Sequence, residues 1–396
     1  MNVIVNCEFR FYQTPDGNVW TPSSFKYDFW LRYTEVFDQV TVVARINKVP
    51  EVSADWLQAN GDQVKFHALP HYIGLVGLIL SLPKLIKSLK KIIQSDGLLL
   101  FRVPSQTATI ATWLLKKNRP YAVEVIGDPF DVFSTGVGGK LAAPLLKTFS
   151  TRTLQKQCKK ALGASYVTQY YLQNRYPPGE NTITNFYSSI MLDETQIIDA
   201  PRTYQTKARK LVFVGSLEQM YKAPDILLKA FAKLVEEDNH YQLIMIGAGQ
   251  HLPSLKENAV QLNIHENISF VGEIKSNEVI TYLSEADLFV LPSRTEGLPR
   301  AIIEAMAQGL PCVGTKVGGI PELIPEELCV PADDVQSLFT VLSKLCNNVD
   351  ELTKQSTDNL EKSKQYGNQF LSEKRKGFYQ ALKDKYTEIH TKKLSN

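Results

Sequence analysis

Short apolar runs alternate with longer helical patterns from one end of this chain to the other, and this alternation limits the possible folds more than any other feature. Runs that are apolar throughout are typical of parallel strands covered by helices on both faces. The alternation occurs as two series. The sequence therefore predicts an α/β protein with two doubly wound, parallel-sheet (Rossmann-like) domains facing a cleft. The predicted strands are 3–5, 40–44, 64–69, 98–103, 121–126, 165–168, 211–214, 242–246, 268–271, 288–291 and 312–314.

A turn-rich stretch separates the two series. Residues 191–209 combine Ala200-Pro201 with mixed polar residues and have no clear strand or helix pattern, which indicates an interdomain linker. We therefore expect a first domain over residues 1–190 and a second over residues 210–365. Residues 366–396 are polar and helical in pattern, and they predict a terminal helix that packs back on the first domain.

The composition excludes several classes of protein. The chain of 396 residues is 44% hydrophobic with a net charge of +3, which excludes a mostly disordered chain and gives no electrostatic footprint for nucleic acid. Its five cysteines are far apart and form no Cys-x-x-Cys pair, so free thiols in a reducing compartment are expected. The N-terminus reads as a core strand rather than a signal peptide, and the longest apolar run, 73–82, is shorter than the roughly 18 residues that a spanning helix needs. We therefore expect a cytoplasmic protein.

Residues 292–311, which follow a predicted strand, form the most informative segment. Gly297 permits an unusual backbone, Pro299 suits the first position of a helix, and Gly309 suits its end. The free N–H groups at the start of this helix would attract a phosphate. Glu304 lies two turns into the helix among apolar residues, where an unpaired carboxylate is costly. It would accept hydrogen bonds from a ribose diol or be satisfied by local backbone or an arginine.

Two loops containing glycine follow other strands of the second series. Gly215 precedes a short loop and a helix starting near Pro224, so Lys222 could add a positive charge to a diphosphate at that helix terminus. The alternative is a solvated surface lysine. Gly247 and Gly249 could let a nucleotide approach the backbone closely. A tight strand-to-helix turn explains them equally well, because no third glycine follows at the dinucleotide-binding spacing.

In the first half, Asp128 follows a predicted strand and precedes a proline. We expect it to face the cleft, where it would act on an acceptor hydroxyl or bind the sugar; the alternative is an Asx turn or a helix cap. No metal site is expected. The chain contains no Asp-x-Asp, and Pro70 between His67 and His71 breaks any helix that would align the two histidines as ligands.

The stretch from Tyr72 to Lys91 is amphiphilic in blocks. An apolar half precedes Lys84, Lys87, Lys90 and Lys91. Such a segment could lie in a membrane interface with its lysines on anionic headgroups. The alternative is a domain helix with one buried face and a solvated basic end.

Together these segments resemble the retaining glycosyltransferases of family four, which have the GT-B fold. The resemblance is carried by the spacing Glu296-x7-Glu304 and by its continuation from Cys312 to Leu323. It covers residues 211–332 well, whereas the first half resembles the family only in the order of its strands and helices.

The resemblance implies a role for each matching residue. Glu296 would contact the donor sugar, Glu304 would hold the ribose, and Lys222 would neutralise the diphosphate leaving group. The implied catalytic set is Asp128, Glu296 and Lys222, with Gly17 and Asp128 on the acceptor side. The implied donor-binding residues are Gly215, Ser216, Lys222, Gly247, Gly249, Val271, Gly272, Glu296, Gly297, Leu298, Pro299, Arg300 and Glu304.

The implied activity is a metal-independent hexosyl transfer that needs no cofactor. A sugar would move from a UDP- or GDP-sugar to a saccharide or lipid-linked saccharide, in surface polysaccharide or glycolipid biosynthesis. The sequence departs from the family at Ser216, where arginine is frequent, at Ala223, where glycine is frequent, and at Gly127-Asp128, where a histidine is usual. A catalytically silent nucleotide-sugar-binding subunit, a nucleotide-sugar epimerase of the same fold and an NAD-dependent dehydrogenase remain as alternatives.

Overall fold

The first domain is built on a largely parallel sheet. The computed structural model describes residues 1–130 and 139–394, and the side chains of Leu75, 139–143, Ser276 and 393–394 lie outside the description. The sheet runs β5-β3-β1-β6-β7-β8-β9; the short strand β2 pairs antiparallel with the last two residues of β1, and β4 pairs antiparallel with β2. Its strands are β1 (Asn2–Gln13), β2 (Val19–Thr21), β3 (Gln39–Lys48), β4 (Leu57–Gln58), β5 (Val64–Leu69), β6 (Leu98–Val103), β7 (Tyr121–Val125), β8 (Gly163–Tyr166) and β9 (Ile183–Phe186).

Helices cover both faces of this sheet, because its central strands are apolar on both sides. All six residues of β6 and all five of β7 are buried. One face packs against the first helix and the other against the next three, which gives two apolar cores. The helices are α1 (Tyr27–Thr34), α2 (Gly74–Ile93), α3 (Gln106–Leu114), α4 (Gly139–Lys160) and α5 (Tyr171–Arg175).

The second domain has a fully parallel sheet in the order β12-β11-β10-β13-β14-β15. This order reverses between β10 and β13, and ligands of such sheets bind at the carboxyl ends of the strands at that reversal. Its strands are β10 (Lys210–Val214), β11 (Gln242–Ile246), β12 (Ile268–Gly272), β13 (Leu288–Leu291), β14 (Cys312–Thr315) and β15 (Cys329–Val330). Its helices are α6 (Pro224–Glu237), α7 (Leu252–Gln261), α8 (Ser276–Glu285), α9 (Arg300–Ala307), α10 (Ile320–Leu323), α11 (Val335–Cys346) and α12 (Val349–Ser363). The predicted α/β class with two Rossmann-like domains is confirmed.

The chain crosses between the domains at two neighbouring points. Leu192 and Gly367 form an isolated parallel bridge, and the N–H of Asn368 donates to the carbonyl of Leu192 at 2.9 Å. Between the crossings, the segment predicted as a linker lies against the second domain, where Arg202 donates to the carbonyls of Gln308 and Leu283.

After the second crossing the last helix, α13 (Asn368–Leu394), returns to the first domain. Tyr386 donates to the carbonyl of Gly97 at 2.9 Å, Lys383 donates to the carbonyl of Val36 at 2.7 Å, and Leu382 packs against Gly163. The first domain is therefore discontinuous in sequence. Within the described parts of the chain, no helix is both long and apolar enough to cross a membrane.

Candidate functional site

A cavity of about 460 Å³ opens between the two domains. From the second domain it is lined by Lys222, by the loop 296–299, and by Arg300 and Glu304 on α9. From the first domain it is lined by Phe25 and Phe29 around the start of α1, by Arg102 at the end of β6 and by Ile126 just after β7. It therefore lies where the carboxyl edges of both sheets meet, which is the expected place for a ligand in this architecture.

The loop between β13 and α9 brings the start of that helix to the cavity. Pro299 occupies the cap position and the helix begins at Arg300, one residue later than predicted. Among the described residues no side chain caps this terminus, so the first N–H groups of α9 are available to an anion. Gly297, Leu298 and Pro299 line the cavity beside them. The helix ends before Gly309, whose φ of 65° suits the glycine position after a helix.

Glu304 lies at the cavity wall on the second turn of α9 and is half-buried. Within residues 1–130 and 139–394 its carboxylate accepts no hydrogen bond and forms no ion pair. Burial raises its pKa, and the positive charge of Arg300 on the preceding turn partly offsets that rise. A half-buried carboxylate without a protein partner is costly, and it is prepared to accept hydrogen bonds from a bound ligand.

Lys222 and Glu296 meet although 74 residues separate them in sequence. The ammonium of Lys222 lies 2.5 Å from Oε1 of Glu296, which also accepts a hydrogen bond from the hydroxyl of Ser293 at 2.7 Å. Both charged side chains are largely buried and line the cavity. The surface-lysine alternative is therefore wrong, because the fold brings the loops after β10 and β13 together at the reversal of strand order.

Ala223, where glycine is frequent in the family that the sequence resembles, adopts a left-handed backbone with φ of 50° and ψ of 46°. This turn lies directly before Pro224, the first residue of α6, and sets the direction in which Lys222 leaves the loop. A left-handed residue that is not glycine costs about 1–2 kcal/mol.

The other predicted donor residues form the neighbouring loops. Cβ atoms on Gly247 and Gly249 would lie 1.9 Å from the carbonyl oxygen of Gly215 and 2.0 Å from the N–H nitrogen of Glu218, so these glycines permit close packing of two loops. Ser216 is exposed on the same loop. Val271 and Gly272 end β12, where the N–H of Gly247 donates to the carbonyl of Gly272. None of these residues lines the described cavity, and their contact with a base stays a prediction.

Asp128 lies elsewhere than we expected. Its side chain is buried and pairs with the guanidinium of Arg175 and the hydroxyl of Tyr176, and its Oδ1 accepts the N–H of Phe130 at 2.9 Å. That last bond is the Asx turn of the alternative interpretation. Because these partners hold the carboxylate inside the first domain, it does not line the cleft cavity. The expectation that Asp128 faces the cleft is wrong for this structure.

Gly17, the other residue predicted on the acceptor side, lies in the turn between β1 and β2. It is not among the residues that line the cavity. A role for Gly17 at the acceptor therefore gains no support from the described geometry.

Two arginines lie close to the predicted diphosphate position. Arg294 is held by the carboxylate of Asp225 at 2.8 and 2.9 Å and by Asp333 at 2.7 Å, so its charge is already neutralised. Arg300, in contrast, is exposed and lines the cavity. Of the two arginines, only Arg300 lines the cavity.

Arg102 is a cavity residue that the sequence reasoning missed. It is buried, and its guanidinium donates to Oε2 of Glu124 at 3.1 Å across the paired strands β6 and β7. Glu124 also accepts hydrogen bonds from Tyr33, Tyr187 and, on the terminal helix, Tyr379. The sequence did contain a signal for this pair: Arg102 and Glu124 are charged residues within two otherwise apolar strands, and a buried charge needs a buried partner.

Glu322 on α10 joins the two domains beside the cavity. Its carboxylate accepts the backbone N–H groups of Gln169, Tyr170 and Tyr171 at 2.5–2.9 Å. These N–H groups begin α5, so a side chain of the second domain caps a helix of the first. This contact favours the arrangement in which the cleft is seen here.

Two Rossmann-like domains that face one cleft, as seen in the described parts of this chain, form the architecture of the GT-B class. Glycosyl transferases group 1 is the family description that matches residues 208–348. Protein CapJ of Staphylococcus aureus is 31% identical over 332 residues, covering 81% of this chain and 80% of the relative. The chain therefore belongs to the group 1 glycosyltransferases of this GT-B class.

Solved structures of low sequence identity share the fold. Sucrose-phosphate synthase from Thermosynechococcus elongatus superposes with a TM-score of 0.66 at 15% identity, covering 99% of both chains. HepE from Anabaena, solved in complex with UDP and glucose, gives a TM-score of 0.64 at 14% identity over 97% of this chain and 99% of HepE.

Proposed function

We propose that this chain transfers a sugar from a UDP- or GDP-sugar to a saccharide or lipid-linked saccharide, with retention of anomeric configuration. The setting would be surface polysaccharide or glycolipid biosynthesis on the cytoplasmic side of a membrane. The observation that carries the proposal is Glu304, a half-buried carboxylate that faces the cavity and has no hydrogen-bond partner among the described residues. A ribose diol would donate two hydrogen bonds to this carboxylate and so offset the free-energy cost of its desolvation.

The remaining residues would stabilise the leaving group. As the bond from the anomeric carbon to the diphosphate oxygen breaks, negative charge grows on the diphosphate. The uncapped start of α9, with Lys222 and Arg300, supplies positive charge there in advance, which is how fixed dipoles and cations lower such barriers. Glu296 orients Lys222 and would bind the sugar hydroxyls. This arrangement provides for a reaction that needs neither metal nor cofactor.

Retention follows when the acceptor attacks the face that the diphosphate leaves. The acceptor oxygen forms its bond to the anomeric carbon while the phosphate oxygen departs, and the hydroxyl proton passes to that phosphate oxygen. Such a step uses no carboxylate of the first domain, which agrees with the position of Asp128 inside that domain.

A thermal-shift panel of UDP-, GDP-, ADP- and CMP-sugars tests the donor site. A ligand that binds the folded state raises its stability by about 2.7 kcal/mol at 100 times the dissociation constant. We expect one nucleotide to raise the melting temperature of the wild type and to lose this effect in Glu304→Ala. A shift that persists unchanged in Glu304→Ala would contradict the assignment.

Product analysis then separates the alternatives. Transfer to an acceptor with retained anomeric configuration, read by NMR of the first-formed product, supports the transferase. Conversion of the donor without acceptor would indicate an epimerase. Donor binding with no turnover over many acceptors would indicate a silent subunit.

We also propose that residues Tyr72 to Lys91 dock on an anionic membrane surface. They form most of α2, whose first half exposes apolar side chains and whose second half carries Lys84, Lys87, Lys90 and Lys91. Reversal of these four charges should release the protein from phosphatidylglycerol vesicles. Unchanged co-sedimentation with the vesicles would refute membrane docking through this helix.

A further inference from the structure

A second cavity, of about 660 Å³, opens on the first domain between helices α2, α3 and α4. This volume lies within the roughly 300–1,000 Å³ of sites that bind small molecules. Its walls are mostly apolar, and we call it the helix groove. Its lining includes Leu78, Leu82, Thr109, Ile110, Trp113 and Phe149.

Large apolar side chains on the helices that form the groove face solvent, and three of them, Trp113, Leu146 and Phe149, line the groove itself. Val76, Ile79 and Leu80 on α2 are 59–77% exposed, and Leu145 on α4 is 76% exposed. Trp113 on α3 packs its ring edge-on against Phe149 on α4, with 5.8 Å between the ring centroids. Half of the large exposed apolar side chains among the described residues lie on these three helices. Such a concentration of exposed apolar side chains beside a cavity favours a binding surface over ordinary surface.

Of these three helices, α2 and α4 carry positive charge and α3 is uncharged. None of α2, α3 and α4 contains an aspartate or a glutamate, although the whole chain is nearly neutral with 44 basic and 41 acidic residues. Apolar walls with basic surroundings complement a molecule that has a hydrocarbon chain and an anionic group. The basic side chains of α2 and α4 are Lys84, Lys87, Lys90, Lys91, Lys147, Arg152, Lys156, Lys159 and Lys160, together with Lys140 in the sequence.

The inner end of the helix groove is polar and lies close to the cleft. Glu8 and Ser105 line it. Glu8, whose carboxylate pairs with Arg45, follows the part of β1 that pairs with β6, and Ser105 follows the end of β6. The strand order of the first sheet reverses between these two strands. Arg102 lines the cleft cavity and Pro104 lines the helix groove. Arg102 and Pro104 are two positions apart, so their Cα atoms lie at most about 7 Å from each other. The two cavities are therefore neighbours at one edge of the sheet. A molecule with its head in the cleft can therefore have its tail in the groove.

We propose that the helix groove binds the hydrocarbon chain of a phosphate-bearing lipid acceptor, and that the acceptor of this enzyme is accordingly lipid-linked. The proposal rests on the glycosyl transfer proposed above only in calling this lipid the acceptor. Binding of the chain itself depends on the groove alone.

Isothermal titration with single-chain alkyl phosphates below their micelle concentration tests the groove on the full-length protein. We expect saturable binding of one decyl phosphate, at least tenfold tighter than hexyl phosphate, because each buried methylene contributes roughly a factor of four. Inorganic phosphate should not compete at similar concentrations. Binding that is equal for both chain lengths would overturn the proposal.

Two variants and a control locate the binding. Thr109→Trp fills the groove, and Phe149→Glu places a charge at its mouth where the native side chain is 51% exposed and folding is not at risk. Each should weaken decyl phosphate binding at least tenfold. Val260→Glu, at a 56% exposed apolar position on α7 in the other domain, should leave it unchanged. Equal binding by Phe149→Glu and the wild type would overturn the assignment.

Two further measurements separate this proposal from the others. Binding of the protein to phosphatidylglycerol vesicles without saturable binding of monomeric decyl phosphate would overturn the groove in favour of surface docking alone. The nucleotide-sugar thermal shift, measured on the same variants, should be unchanged. If the wild type binds decyl phosphate but shows no thermal shift with any nucleotide sugar, the proposed donor site is refuted and the proposal for the helix groove is supported.

Discussion

Replacing Glu304 by glutamine should weaken donor binding and, at the same time, leave the free protein as stable as before or more so. The substitution keeps the shape of the side chain and removes its charge. In the free protein no described residue donates a hydrogen bond to this carboxylate, and only the charge of Arg300 favours its ionised form. The folded state therefore loses nothing when the charge is removed.

The size of the binding effect follows from the hydrogen bonds that the ribose would make. A hydrogen bond to a charged group contributes about 1.5–3 kcal/mol. The amide nitrogen of glutamine cannot accept a hydroxyl proton, so one of two such bonds is lost outright. The dissociation constant for the nucleotide sugar should rise about 10- to 150-fold, because every 1.4 kcal/mol is a factor of ten.

The stability of the free protein and its affinity for the donor should change with pH in opposite directions. Burial raises the pKa of Glu304 in the folded protein, so the folded state holds this proton more tightly than the unfolded state. Its contribution to stability is thus fully present below the unfolded pKa and is lost as the pH rises through the raised pKa. Donor affinity runs the opposite way and increases with pH, because the ionised form accepts both ribose hydroxyls. Glu304→Gln should lack both dependences.

Calorimetric titration of the nucleotide sugar across the acidic to neutral range measures the affinity, and thermal unfolding without ligand measures the stability. Glu257→Gln, at an exposed position on α7, serves as the matched control and should behave as the wild type. Wild-type affinity in Glu304→Gln, or a clear loss of stability in the unliganded variant, would refute the reasoning.

Four further substitutions test other parts of the structure. Lys222→Met should lower kcat about 10²- to 10³-fold in a transfer assay, as removal of one preorganised donor does elsewhere; an unchanged kcat would exclude it from the leaving-group site. Ala223→Gly relieves the left-handed strain and should raise the free energy of urea unfolding by roughly 0.5–1 kcal/mol after the extra entropy of glycine is subtracted; a lower value would show that the turn is unstrained. Tyr379→Phe removes a 2.6 Å hydrogen bond to buried Glu124 and should lower the free energy of unfolding by about 1.5–3 kcal/mol. The affinity for the donor should not change. Glu322→Ala uncaps α5 across the domains and should increase the radius of gyration in solution scattering, whereas an unchanged radius would show that this contact does not hold the cleft closed.

The parts of the fold that were predictable are those fixed by local pattern. Apolar runs predicted parallel strands at β6, β7, β10, β11 and β13. Each of these strands begins and ends within one residue of its predicted bounds. The antiparallel pairs of β2 and β4 were not predictable, because strands of two or three residues carry too little periodic signal. The extension of β1 to Gln13 was missed for a related reason: a register shift after Asn6 interrupts its pairing pattern.

The same distinction separates the site residues. Lys222 and Glu296 each follow a strand of the second sheet, and the reversal of strand order brings such loops together, so local motifs sufficed. Asp128 also follows a strand, but its environment is set by Arg175 and Tyr176, 47 and 48 residues further on. No local pattern reveals whether such a carboxylate turns towards the cleft or towards a partner inside the domain.

The return of α13 to the first domain has a consequence for biosynthesis. The ribosome completes β7, with Glu124, long before it reaches Tyr379, so the nascent first domain holds a buried acid that lacks one of its donors until the second domain has been made. Leu382 and Tyr386 reach their places beside Gly163 and Gly97 equally late. The domain that leaves the ribosome first is therefore the last to be completed. An autonomous version of it would require grafting Asn368–Leu394 onto the end of residues 1–191, rather than simple truncation.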